Sequence, residues 1–136
     1  MNLTKHFTLE EFLNSDTAKK KGIRNVPNEA EIDWMLFGAI HVLEFLREKL
    51  NRAVVITSGY RSRELNKFVG GVPNSQHCLG QAADIRATAD EQRVICDILR
   101  ENPYIDQCIV ERTKNASWIH VSWGPRNRKQ FLAIKK

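Results

Sequence analysis

Ser75-Gln76-His77-Cys78-Leu79-Gly80-Gln81-Ala82-Ala83-Asp84 places a histidine and a carboxylate seven residues apart, with a glycine between them. On an unbroken helix the two side chains would share a face but sit about 10 Å apart along the axis. Zinc bonds to histidine nitrogen and carboxylate oxygen are only about 2.0–2.2 Å long, so one ion can reach both residues only if the chain doubles back. Gly80 can supply that reversal, because it takes a positive φ without a Cβ clash. The β-prone Ala83-Asp84-Ile85 then predicts a strand that carries the carboxylate. A catalytic zinc takes three protein ligands and keeps one position open for water, and His120, within Trp118-Ile119-His120-Val121-Ser122-Trp123, is the candidate for the third.

Working outward, Gln107-Cys108-Ile109-Val110-Glu111 and residues 118–123 are β-prone runs flanking a polar turn at residues 112–117, which predicts a hairpin. Strand side chains alternate, so Trp118, His120 and Ser122 face one way and Ile119, Val121 and Trp123 the other. One face suits a core and the other a site. Hydrolysis at a metal centre also needs a general base, for which Glu111 is the candidate. If Glu111 pairs with Trp118, then Ile109 pairs with His120 and the carboxylate lies on the histidine's face. A slip of one residue turns it away and leaves a solvated strand-end glutamate. Asp106 is a second acidic candidate, with a turn position beside Pro103 and Tyr104 as its alternative. Val54-Val55-Ile56-Thr57 predicts a further strand that delivers Ser58-Gly59-Tyr60-Arg61-Ser62. Arg61 is there either a fork for a substrate carboxylate or a surface residue opening the next helix.

Helix signals fill the remainder. Thr8 with Glu11 forms a capping box for a short helix that buries Leu9, Phe12 and Leu13 and ends before Gly22. Asn28 with Glu31 repeats the signature for a longer helix, on which Ile32, Leu36, Ala39, Ile40, Leu43, Leu46 and Leu50 form an apolar stripe. His41 lies off that stripe and reads as a solvated surface residue. Residues 63–68 allow one or two turns. Thr88 with Glu91 caps a helix with Val94, Ile95, Ile98 and Leu99 inward, closed by Pro103. Cys96 and Cys108 read as small core fillers. The run Gln130-Phe131-Leu132-Ala133-Ile134 predicts a last strand at the sheet edge.

A chain of 136 residues, 42% hydrophobic with three Trp and six Phe, is expected to form one domain over residues 1–136 with one core. It has no apolar run of signal-peptide or membrane-spanning length. The expectation is a monomer made in the cytoplasm without an export signal of its own and not inserted in a membrane. Three cysteines with no Cys-x-x-Cys pair argue against a disulfide framework and a thiolate zinc site. The net charge of +5 points to an anionic partner, either nucleic acid or a phosphate-rich envelope. The clusters at Lys19-Lys20-Lys21 and residues 126–129 lack the interleaved aromatics of a nucleic-acid groove, which argues against nucleic acid.

Ser58-Gly59-Tyr60-Arg61-Ser62, Ser75-x-His77-x-x-Gly80-x-Ala82-x-Asp84 and Trp118-x-His120 together resemble the zinc D-alanyl-D-alanine carboxypeptidases and their phage peptidoglycan-hydrolase relatives, whose fold is shared with the Hedgehog signalling domain. Phe7-Thr8-Leu9-Glu10-Glu11-Phe12 and Gly22-Ile23-Arg24-Asn25-Val26-Pro27 resemble the short, phage-type branch. The resemblance implies an α+β fold with helices packed on a small, mainly antiparallel sheet. It implies that His77, Asp84 and His120 hold zinc, that Arg61 binds a substrate carboxylate or polarises the carbonyl oxygen, and that Ser75 and Trp118 sit beside the substrate. Better-studied members carry an acidic residue three before the last histidine ligand, or a histidine two before it. Ser117 and Trp118 stand there in this chain, and the phage-type branch favours Glu111 as the base.

The expected activity is hydrolysis of amide bonds in peptidoglycan stem peptides, by carboxypeptidase or crosslink endopeptidase action, on a cell wall reached by release or by phage delivery. Three other classes stay open. A non-catalytic, zinc-containing module could bind wall fragments or protein; a cysteine hydrolase could use Cys78 beside His77; and a basic domain could bind nucleic acid.

Overall fold

Thr8 begins the first helix in the computed structural model, which describes residues 1–135. Its hydroxyl accepts from the Glu11 amide at 3.1 Å and the Glu11 carboxylate accepts from the Thr8 amide at 2.9 Å, so α1 (Leu9–Leu13) starts on a complete capping box. The single short helix expected before Gly22 is divided. Asn14 turns to extended backbone, and Ser15 caps a second helix, α2 (Asp16–Lys21), by accepting from the Ala18 amide.

Asn28 and Glu31 cap α3 (Glu29–Gly38), which runs through one π turn (Ala39–Leu43) into α4 (Glu44–Leu50). The buried stripe keeps Ala39, Leu43 and Leu46 of the expected one and adds Met35 and Val42. Met35, Ala39, Val42 and Leu46, at steps of four and three, face inward with Leu43, whereas Ile40 is 47% exposed. His41 is half-buried instead of solvated, its ring 4.6 Å from both Phe37 and Tyr104.

The sheet has the order β1 (Ile56–Ser58), β2 (Ala82–Arg86), β4 (Ser117–Trp123), β3 (Ile105–Arg112), β5 (Gln130–Lys135). Every pairing is antiparallel except β3 with β5, which is parallel and places β5 at the edge. The chain is thus α+β with a mainly antiparallel sheet. β1 starts two residues later than the β-branched run suggests. α5 (Arg63–Phe68) follows β1, and α6 (Ala89–Arg100) crosses from β2 to β3.

Alternation divides the sheet into two chemistries. Ala83, Ile85, Cys108, Ile119, Val121 and Trp123 point to one face and join Phe7, Phe12, Met35, Leu43 and Leu46 in a continuous core. Each large aliphatic or aromatic side chain buried there contributes about 1.5–3 kcal/mol. α6 adds Ile95 and Leu99. Its inner stripe steps through Gln92, Ile95 and Leu99, which leaves Val94, expected inside, 51% exposed on the outer side. Trp123 also pins the layers together, its indole Nε1 donating to Trp34 O at 2.8 Å and Gly80 O at 3.2 Å. The opposite face of the sheet is where Asp84 and His120 point. Among the described residues, no helix is long and apolar enough to cross a membrane.

Candidate metal centre

The reversal between His77 and Asp84 is a single 3₁₀ turn, Gln76–Leu79. Ser75 starts it, its hydroxyl accepting from the His77 amide at 3.2 Å. Gly80 ends it with φ +74°, and a Cβ there would lie 2.2 Å from the Glu31 carbonyl oxygen of α3. Two bonds then stitch this turn to the segment after β1. The Arg61 amide donates to His77 O at 3.2 Å, and His77 Nδ1 lies 2.6 Å from Gly59 O. Gly59 can approach because it has no side chain, since a Cβ would meet the Phe12 backbone at 2.6 Å.

A carbonyl only accepts, so the contact with Gly59 puts the proton of a neutral His77 ring on Nδ1 and leaves Nε2 as a lone pair. That nitrogen is buried, makes no hydrogen bond among the described residues, and lies 3.3 Å from Asp84 Oδ1. Two acceptors facing each other in a buried site repel unless a cation lies between them. His120 supplies a third ligand atom. It stands directly across β2 and β4 from Asp84, with Nδ1 3.0 Å from the same Oδ1. One ligand atom from each of the three residues falls within 4.8 Å of the other two. The donor set and the orphaned Nε2 fit a shared metal ion; a single proton could bridge only two of the three. Burial alone would raise the Asp84 pKa, but hydrogen bonding, from His120 foremost, outweighs it and holds the carboxyl well below its usual range, ready as a ligand.

β3 and β4 pair Glu111 with Trp118 and Ile109 with His120. Glu111 therefore shares the His120 face, and its Oε2 accepts from the Trp118 indole at 3.1 Å. Glu111, Trp118, Arg61 and Ser75 line one cleft of about 610 Å³ with His77, Asp84 and His120, so all seven site residues expected from sequence meet in one place. Arg61 Nη1 donates to Asn66 Oδ1 at 3.2 Å, while its buried Nε has no hydrogen-bond partner among the described residues. Burial, reinforced by Glu31, pushes the Tyr60 phenol up to about 12 and keeps this cleft residue neutral.

Asp106, the second acidic candidate, is not in the cleft. It is fully buried and takes three hydrogen bonds from Arg128, from the amide at 2.8 Å, Nε at 2.9 Å and Nη2 at 2.8 Å. A fourth comes from Gln76 Nε2 at 2.9 Å. Arg128 holds its carboxyl at about 2 against the opposing effect of burial. Asp106 thus anchors the residue immediately before His77.

Spacing also gave no sign of two asparagines that build the cleft. Asn25 donates to Leu13 O and Tyr60 O and accepts from the Ser62 amide at 2.7 Å, which clamps the Arg61 segment onto α1. Asn66 holds Arg61 and donates to Val72 O at 2.8 Å, fixing the loop that forms one wall. The only local signal at Asn25 was a turn-prone setting, which many solvated asparagines share, and Asn66, inside α5, carried none.

The family model Peptidase_M15_3, described as Peptidase M15, matches residues 5–122. A comparison with curated proteins gives no match. The matched span runs from before α1 to the penultimate residue of β4, and so contains the three candidate ligands, Arg61 and Glu111. The chain belongs to the Peptidase M15 family of metallopeptidases.

Proposed function

We propose that the protein is a zinc-dependent peptidoglycan peptidase that hydrolyses an amide bond in the stem peptides of the cell wall. The observation that carries this is the orphaned, buried His77 Nε2 facing Asp84 and His120 in the cleft that also holds Glu111 and Arg61. His77, Asp84 and His120 would hold the zinc. When bound, zinc supplies Lewis acidity that polarises the scissile carbonyl and makes water a nucleophile near neutral pH.

The chain's own groups do the rest. Glu111, oriented by the Trp118 indole, takes a proton from the attacking water and returns it to the leaving amine. Arg61, steadied by Asn66, offers its unspent Nε and the rest of its fork to a substrate carboxylate or to the charge developing on the carbonyl oxygen. Ser75 and Trp118 line the substrate side of the cleft. The net charge of +5 favours approach to an anionic wall, which a monomer released from the cell or delivered by a phage would meet.

The test combines zinc content with mass spectrometry of purified peptidoglycan after digestion. Free D-alanine in the products identifies a carboxypeptidase, and monomers released from crosslinked dimers identify an endopeptidase. His77→Ala and His120→Ala are expected to lose both zinc and hydrolysis. Glu111→Gln is expected to keep zinc and lose roughly 10²–10⁴ in rate. Full turnover by Glu111→Gln sinks the role given to Glu111. A zinc-loaded wild type that binds the wall and releases nothing makes the protein a binding module instead.

A further inference from the structure

α6 and β3 meet through a pair of thiols. Cys96, half-buried on α6, has its Sγ 3.8 Å from that of Cys108, which is buried on the core face of β3. Cys78, the third cysteine, lies apart in the turn that carries His77. Beside Cys96 opens a cavity of about 440 Å³, lined by Arg93, Arg112 and Lys135 along with Gln92, Val110 and Ile134. One thiol of the pair is therefore reachable from a cationic cavity, and the other lies behind it.

We propose that Cys96 and Cys108 form an oxidation site that closes to an intramolecular disulfide by exchange with an anionic organic disulfide of the glutathione class. The proposal is independent of which bond the metal centre cleaves. A disulfide bond is about 2.05 Å long, so the sulfurs must approach by roughly 1.8 Å, through side-chain rotation and a small shift of α6 over the sheet. The order of events follows from the two environments. Cys108 lowers the pKa of Cys96 by hydrogen bonding to it, against burial and with help from Arg100. Cys108 itself is pushed up by the same contact and by burial, and so keeps its proton.

The Cys96 thiolate attacks one sulfur of the organic disulfide, whose S–S bond breaks to release one thiolate and leave a mixed disulfide on Cys96. With Cys96 no longer charged, Cys108 gives up its proton and attacks Cys96 Sγ, and the second organic thiolate leaves and takes that proton. In sum, the protein loses two hydrogens and two electrons, and one organic disulfide is reduced to two thiols. The charges of Arg93, Arg112 and Lys135 favour an anionic reagent over a neutral one. The product ties α6 to the central hairpin, and an oxidising wall compartment would retain it.

The test uses the zinc-loaded full chain exposed to oxidised glutathione, quenched in acid, unfolded and alkylated. Alkylation at Cys96 and Cys108 is expected to fall by at least about tenfold while Cys78 stays open, with an intact mass lower by two hydrogens and no adduct. Cys78→Ser is expected to close as the wild type does. Cys108→Ser is expected to stop at a glutathionyl adduct on Cys96, and Cys96→Ser to keep Cys108 alkylatable. The proposal is overturned if Cys96 and Cys108 both remain alkylatable in the unfolded, quenched wild type. It is overturned equally if the bond that forms involves Cys78, or if Cys108→Ser gains no adduct at Cys96.

Discussion

Asp106→Asn tests how far the metal loop depends on a residue outside the cleft. The wild-type carboxylate accepts four hydrogen bonds, three from Arg128 and one from Gln76, in a fully buried position. Asparagine keeps the shape but loses the charge, and its NH₂ must face a donor from Gln76 or from Arg128. Arg128 lowers the Asp106 pKa from 3.8 to about 2. A shift of about two units corresponds to roughly 2.5 kcal/mol of stability. Because the folded pKa is the lower one, that stability is complete above the unfolded value near 4 and is lost as the pH falls through about 2.

The assay is urea unfolding of zinc-free protein, followed by tryptophan fluorescence at several pH values. At pH 7 the variant is expected to be about 2.5 kcal/mol less stable, which lowers the midpoint by on the order of 1–2 M urea. The gap is expected to narrow steadily below about pH 4. Asp84 also has a depressed pKa, but both proteins carry it and its contribution cancels in the difference. A second measurement follows from Gln76, which precedes His77. Loss of its anchor is expected to weaken zinc binding by about 10–100-fold in protein that is still folded. A gap below about 0.5 kcal/mol at pH 7, or one unchanged down to pH 3, would refute the assignment of Asp106 as a charged anchor.

Gly80→Ala combines a positive φ with a Cβ 2.2 Å from the Glu31 carbonyl oxygen, a backbone atom that cannot swing aside. It is expected to cost at least about 2 kcal/mol in denaturant unfolding and to weaken zinc binding, with wild-type affinity arguing that the turn adapts freely. Chelation is expected to lower Tm reversibly, since zinc at about 100 times its dissociation constant stabilises by about 2.7 kcal/mol. His120→Ala should show little of that shift.

Much of the site could be read from the sequence because its signals are local. The Gly80 reversal, the alternation along residues 118–123 and the capping boxes at Thr8, Asn28 and Thr88 each depend on residues within a few positions of one another. Helix faces were less legible where apolar residues outnumber the buried positions. Leu36 and Ile40 fit the helical spacing as well as Met35 and Val42 do, and only the core packing chose the second pair. Asn25, Asn66 and the Asp106–Arg128 pair were illegible for a different reason. Their partners lie far along the chain, and a polar residue bonding to a distant backbone group leaves no periodic trace.

Three of the four key site residues depend on a single strand. β4 pairs with β2 through Asp84 and His120, and with β3 through Ile109 and His120 and through Glu111 and Trp118. A slip of β4 by one residue against both neighbours would turn His120 and Trp118 away from Asp84 and Glu111 together. What prevents it lies on the opposite face, where Ile119, Val121 and Trp123 are fully buried and a slip would expose all three, at roughly 1.5–3 kcal/mol each. The core therefore sets the relative placement of the candidate ligands Asp84 and His120 and the base candidate as one unit. His77 stands outside this unit, held by the Gly59 carbonyl, the Gly80 turn and the Gln76–Asp106 bond. Small changes of metal geometry between related chains should accordingly come from the loop that holds His77, while Asp84, His120 and Glu111 move only if the sheet does.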